Sequence, residues 1–177
     1  MVNYLDYAAT TPVHPEVLEV ITKEMSSFGN PSSVYRIGRE QKQKIERVRK
    51  AILKELQASP HDAIIFTSSG SEGNNLVFES IREHFAKEKG HIIVSAVEHP
   101  SVRKSAEFLA QEGFEVTYLA PNKEGSVEVS AVEKALREDT RLVSIMTVNN
   151  ETGARFPIEE IAALLKDTPT YFHTDAV

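Results

Sequence analysis

Apolar residues along this chain recur in two rhythms, and the change from one to the other divides the sequence. In residues 38–57, Ile45, Val48, Ile52 and Leu56 repeat at spacings of three and four, which is the stripe of an amphipathic helix. A shorter helix is predicted over residues 15–26, with Pro15 in its first turn and Gly29-Asn30-Pro31 closing it. Ser59-Pro60 breaks the longer helix, and residues 1–13 read as irregular around Thr10-Thr11-Pro12. Beyond residue 62 the pattern shortens. The apolar runs at 63–67 (AIIFT), 91–95 (HIIVS), 114–119 (FEVTYL), 142–148 (LVSIMTV) and 170–174 (TYFHT) are predicted as strands. Between them lie predicted helices. Residues 72–88 put Val77, Ile81 and Phe85 on one face. Residues 101–112 end at Gly113, where a C-terminal glycine belongs. Residues 130–138 have Ser130 as N-cap, and residues 157–166 start on Pro157.

Apolar strands alternating with amphipathic helices imply βαβ units. The expected fold class is α/β, a three-layer αβα arrangement around a mainly parallel sheet. Residues 1–60 form a helical segment and residues 61–177 the sheet-bearing domain. Such sheets bind ligands outside the carboxyl ends of their strands, so the residues following each strand are where chemistry is expected.

Composition narrows the function classes. The 177 residues are 41% hydrophobic and 26% charged, as in ordinary globular domains. No apolar run approaches the ~18 residues that span a bilayer, and the N-terminus has no basic-then-apolar secretory pattern. A cytoplasmic protein without membrane partners is expected. The net charge of -6 argues against a nucleic-acid partner. The basic residues at 36–54 alternate with Glu and apolar positions, as on a solvated helix face. There is no cysteine, which removes disulfides, thiolate metal sites and a cysteine nucleophile from within the chain. The six His are scattered without ligand spacing, so no metal is expected.

The strand ends carry the candidate chemistry. The first reads Thr67-Ser68-Ser69-Gly70-Ser71-Glu72-Gly73-Asn74-Asn75 and runs into a helix. Small residues and free N–H groups at a helix start suit an anion such as phosphate, with the Ser71 hydroxyl as a further donor. Simple helix capping by Ser71 accounts for it equally well. Neither GxxxxGK[ST] nor GxGxxG is present, which disfavours nucleotide sites of those kinds. The next ends give Glu98-His99-Pro100, where a structural His is the ordinary reading, and Asn149-Asn150-Glu151-Thr152-Gly153, which suits a turn. His173-Thr174-Asp175 puts a carboxylate just past an apolar strand, a placement that asks for a partner such as a cationic ring nitrogen. Together, a phosphate cradle, a flat imidazole, an amide and a carboxylate are the parts that hold pyridoxal 5'-phosphate (PLP).

Several segments, in order, resemble those of the NifS/IscS-like cysteine desulfurases, within the class-V aminotransferases. They are Tyr4-Leu5-Asp6-Tyr7-Ala8-Ala9-Thr10-Thr11-Pro12, Gly29-Asn30-Pro31-Ser32-Ser33, residues 66–75, Glu98-His99, residues 148–153 and His173-Thr174-Asp175-Ala176. The resemblance implies the fold-type I (aspartate aminotransferase-like) large domain, PLP as cofactor and a homodimer. It implies removal of sulfur from L-cysteine, giving alanine and an enzyme persulfide for iron–sulfur cluster assembly or other sulfur transfer, with a sulfur-acceptor protein as a further partner. By resemblance, Gly70 and Ser71 bind the PLP phosphate. His99 stacks on the ring and serves as the catalytic acid–base. Asn150 contacts the phenolic oxygen, and Asp175 pairs with the ring nitrogen.

Three departures go with it. Ser69-Gly70-Ser71 stands where the family has Gly, a small residue, then Thr, and Tyr35 stands where His is common. The family's Schiff-base Lys, in a Ser-Gly-His-Lys segment, and its persulfide Cys have no counterpart here. The expectation is therefore an N-terminal part, inactive alone, with apolar sheet surface that favours association. A related PLP lyase, such as a selenocysteine lyase, and a non-catalytic remnant or split-enzyme subunit that binds a partner are the alternatives.

Overall fold

The computed structural model describes residues 3–7, 9–59 and 61–177. Ala8 of the opening motif and Pro60 of the predicted break lie outside the described residues. The chain divides into two compact units, Met1–Phe66 and Thr67–Val177.

In the first unit, α1 (Pro15–Glu24) begins on Pro15 and α2 spans Arg36–Glu55, both close to expectation. Lys44 Nζ joins them, donating to Glu24 Oε2 at 2.7 Å and to Ser27 Oγ at 2.8 Å. That ion pair and hydrogen bond hold the Glu24 carboxyl below its usual range. Between the helices, the side chain of Asn30 accepts from Ser32 N at 2.9 Å, and its carbonyl accepts from Ser33 N at 3.0 Å, closing a turn. Gly38 in α2 lies under this turn. A Cβ there would sit 2.5 Å from Asn30 O and 2.7 Å from Ser33 O. Gly38→Ala gains about 1 kcal/mol of helix propensity, but it meets backbone oxygens that cannot rotate away. The clash wins, and we expect a net loss of about 1–3 kcal/mol, read as a lowered midpoint in thermal unfolding.

The predicted strand at 63–67 does not form. The segment pairs with no strand, and Ile65 and Phe66 are more than half exposed. An apolar run becomes a strand only where a neighbour accepts its backbone hydrogen bonds, and none of the described strands does so.

The second unit contains α3 (Gly70–His84), β1 (His91–Ser95), α4 (Pro100–Gln111), β2 (Glu115–Leu119), α5 (Val129–Ala135), β3 (Thr140–Ser144), α6 (Ile158–Leu165) and β4 (Tyr171–His173). The four strands form one parallel sheet in the order β2-β1-β3-β4. Side chains alternate across it. Ile92, Val94 and Leu142 bury on one face with Phe78 and Ile81 of α3 and Val102, Ala106 and Leu109 of α4. Ile93 and Val143 bury on the other with Val132 of α5 and Ile161 and Leu165 of α6. This is the expected three-layer α/β architecture. Among the described residues no helix is long and apolar enough to cross a membrane.

Local chemistry moved several boundaries. The helix predicted at 72–88 starts at Gly70, because the Ser69 hydroxyl accepts from Glu72 N and caps it. Ser71 is thus inside the first turn and is not the cap. Glu128 precedes α5, and Ser130 lies within that helix. Gly113 takes φ +96°, the left-handed conformation that ends α4. At the amino edge of the sheet the buried His91 ring lies between Thr140 Oγ1 at 3.0 Å and Thr117 Oγ1 at 2.8 Å. Burial, and secondarily the Arg137 charge, pushes its pKa down.

The topology places a crevice. From β1 the chain crosses through α4 to β2, on one side; from β3 it crosses through α6 to β4, on the other. The carboxyl ends of β1 and β3 are therefore the topological switch point, where the two connections diverge and leave room for a ligand.

Candidate active site

A pocket of about 180 Å³ opens at this edge. Ser69, Gly70, Ser71, Asn74, His99 and Asn150 line it, together with Met146, Val148, Asp175 and Val177. All five residues singled out from the sequence, Gly70, Ser71, His99, Asn150 and Asp175, are among them.

The α3 terminus forms one wall. Glu72 turns back to accept from Ser68 N at 2.5 Å and Ser68 Oγ at 2.6 Å, which lowers its carboxyl pKa and fixes the entering chain. Gly73 N bonds Ser69 O. The N–H groups of Gly70 and Ser71 therefore have no acceptor within the helix and, with the helix dipole, suit an anion. A Cβ at residue 70 would come 2.6 Å from Val177 Cγ2, so the wall is closely packed there.

His99 is held by its role as N-cap of α4. Pro100 occupies the first helical position, and His99 Nδ1 accepts from Ser101 N at 3.2 Å. Ser101 Oγ lies 2.8 Å from the same nitrogen. Nε2 bonds to none of the described residues, and His99 lines the pocket.

Two cross-strand bonds join the loop that carries His99 to the loop that carries Asn150. Glu98, 4% exposed, accepts at Oε1 from Ser95 Oγ at 2.5 Å and from Met146 N at 2.8 Å. Asn149, 6% exposed, donates to Val97 O at 2.9 Å, while its oxygen accepts from Glu151 N, Thr152 N and Thr152 Oγ1. The two asparagines thus divide their work: Asn149 builds the turn, and Asn150 stays exposed, donating to Glu151 Oε1 at 3.0 Å. Glu98 Oε2 is buried without a partner among the described residues. Burial raises the Glu98 pKa to about 7 despite the Ser95 and Met146 hydrogen bonds, and the nearby Asp175 charge adds to the rise.

Asp175 follows β4, whose pairing with the β3 side continues through Thr147 N to Asp175 O at 2.8 Å. Its carboxylate accepts from Asn74 Nδ2 at 2.8 Å and Val177 N at 3.1 Å. Among the described residues no cationic side chain pairs with it. His173 belongs to the core: its Nδ1 meets Ser144 Oγ at 2.9 Å, its ring stands edge-on to Phe78, and burial pushes its pKa down. Among the described residues no cluster of three or more His, Cys, Asp or Glu could hold a metal ion.

Sequence reasoning missed Asn74, Ser101 and the burial of Glu98. Asn74 lies three and four residues after Ser71 and Gly70, on the same helix face, a spacing that could have found it. Nothing in the sequence shows that the Glu98 side chain turns inward.

Comparison with known proteins agrees with this fold. The chain is 46% identical over 175 residues to "Cysteine desulfurase IscS" of Dictyoglomus turgidum, covering 98% of this chain and 44% of that protein. The solved structure titled "SspA in complex with cysteine" matches with TM-score 0.93 and 40% identity over 99% of this chain and 50% of the other. A "NIFS-LIKE PROTEIN" matches with TM-score 0.93 and 37% identity over 100% of this chain and 49% of the other. The chain spans less than half the length of the curated relatives it matches. The family profile described as aminotransferase class-V matches residues 3–177, and the chain, with its parallel sheet and switch-point pocket, belongs to that family.

Proposed function

We propose that this chain supplies a PLP-binding pocket of a cysteine desulfurase. The carrying observation is the Asp175 carboxylate: it is partly buried, held by two donors, and faces a pocket without a cation of its own. A protonated pyridine nitrogen is the partner such a group lacks, and each carboxylate oxygen keeps a lone pair for it. The remaining donors fit the same group. Gly70 N, Ser71 N and the Ser71 hydroxyl suit a phosphate, Asn150 offers an amide to a phenolic oxygen, and the His99 ring supplies a flat wall.

When bound, PLP supplies an electron sink for bond cleavage at the substrate's α-carbon. In this reading Asp175 keeps the ring nitrogen protonated, His99 gives or takes a proton beside the α-carbon, and the α3 terminus fixes the phosphate. The substrate is L-cysteine, as the relatives' names suggest. The chain has no cysteine, so persulfide formation needs a thiol from outside these residues, and alone the chain is inactive in sulfur removal. A homodimer, a sulfur-acceptor protein and supply of iron–sulfur cluster assembly belong to the same proposal, as does the assignment of residues 61–177 to the cofactor-binding domain and 1–60 to a helical segment.

Equilibrium dialysis with PLP tests the reading. The wild-type chain is expected to bind saturably, and Asp175→Asn about 10–100-fold more weakly, which corresponds to loss of one charge-assisted hydrogen bond. No saturable binding by the wild type, or equal binding by an Asp175→Asn variant with an unchanged circular dichroism spectrum, overturns it.

A further inference from the structure

A chain of hydrogen bonds runs from the carboxylate of Asp175 to the imidazole of His99. Asn74 Nδ2 lies 2.8 Å from Asp175 Oδ2 and 3.0 Å from Ser101 Oγ, and Ser101 Oγ lies 2.8 Å from His99 Nδ1. Asn74 is 5% exposed, so water does not take its place. From this arrangement we infer that Asn74 and Ser101 are positioning residues that fix His99 as its Nε2–H tautomer and leave that N–H free for the pocket.

The direction of each bond follows from what each atom is able to do. A carboxylate has only lone pairs, so the Asn74 atom facing Asp175 is the NH2 nitrogen, and the amide orientation is settled. The second hydrogen of that nitrogen points to Ser101 Oγ, which therefore accepts. Its own hydrogen goes to His99 Nδ1 once that nitrogen carries a lone pair, as the next contact requires. The backbone N–H of Ser101 donates to the same Nδ1 at 3.2 Å and is a donor in every state. Both contacts require a lone pair on Nδ1, so in the neutral ring the proton belongs to Nε2.

The pocket then meets His99 as a hydrogen-bond donor. An occupant with an acceptor atom there, such as a carboxylate or thiolate oxygen or sulfur of an amino-acid substrate, is held by Nε2–H. The value of that N–H to an amino-acid substrate rests on the cofactor reading above. The tautomer does not, and it is measured without cofactor.

The test is long-range 1H–15N correlation on the 177-residue chain labelled at histidine, at a pH where the ring is neutral, with His99→Gln to assign the signal. The wild type is expected to show a single Nε2–H form. Asn74→Asp replaces the donor beside Ser101 with an acceptor. The Ser101 hydroxyl then turns toward residue 74 and shows its lone pair to Nδ1. The ratio of Nδ1–H to Nε2–H is expected to rise by about 10-fold, one net hydrogen bond. Adding Ser101→Ala to Asn74→Asp should abolish that rise, since the hydroxyl transmits it. A wild-type proton on Nδ1 overturns the inference, whatever the variants do. So does an unchanged ratio in folded Asn74→Asp, or a rise that survives loss of the Ser101 hydroxyl.

Discussion

Phe78→Ala is expected to cost about 3–5 kcal/mol of folding free energy, the largest loss from any single side chain described above. Phe78 is 1% exposed and packs in the cluster that joins α3 and α4 to Ile92, Val94 and Leu142 of the sheet. Its ring also stands edge-on to His173, with centroids 6.2 Å apart. Truncation removes the ring's transfer free energy and leaves a cavity that a parallel sheet, paired along its strands, closes poorly. The melting midpoint should fall by on the order of 10 °C. The same change loosens α3 on the sheet, and α3 brings Gly70 and Ser71 to the pocket, so PLP binding should weaken together with stability. Urea unfolding that gives a loss under about 1 kcal/mol would mean that α3 is not seated through this ring.

Replacing Glu98 with Gln should remove about 3 kcal/mol of pH dependence between pH 4.5 and 7. Burial holds the folded carboxyl near 7, against 4.5 when exposed. Between those values the folded chain keeps a proton that the unfolded chain has lost. The contribution is full below pH 4.5 and is lost as the pH rises through 7. Moving a carboxyl pKa across that interval is worth ~3 kcal/mol. Above pH 7 the charge must sit on a group whose Oε2 has no partner among the described residues. The Gln side chain mimics the protonated acid at Oε1 and does not titrate. His91 and His173, both pushed down by burial, contribute the opposite slope: their stabilisation is present above pH 6.5 and falls as the pH drops. Those histidines are common to both proteins, so the comparison isolates Glu98. Urea denaturation of wild type and Glu98→Gln at pH 5 and pH 7.5 reads it, and parallel pH profiles would refute the assignment.

The sequence made some of this plain. HIIVS reads as a buried strand without tertiary information, because Ile92, Ile93 and Val94 are consecutive branched apolar residues that suit a parallel strand covered on both faces, although His91 at its start is polar. His99, Asn150 and Asp175 could be gathered in advance because they follow three strands of one parallel sheet, whereas Gly70 and Ser71 reach the same pocket at the start of α3 without the strand expected before them. AIIFT at 63–67 looked the same as HIIVS and failed, since periodicity says nothing about whether a backbone neighbour is present. Ser71 and Ser130 looked like caps because serine caps often, but the Ser69 hydroxyl caps α3, and α5 starts at Val129 after Glu128, whose side chain makes no capping bond. Asn74 and Glu98 stayed hidden for another reason: both are polar residues turned inward, and each has a partner 27 or more residues away in sequence.

The paired bonds from Glu98 to Met146 N and from Asn149 to Val97 O have a bearing on how this pocket is able to vary among related sequences. Connecting loops generally accept inserted or deleted residues. Here each of the two loops holds a backbone group of the other. One residue added between Ser95 and His99, or between Met146 and Asn150, therefore moves the facing loop too. Length change at this edge is thus closed to both loops, and diversification there must proceed by substitution at fixed length.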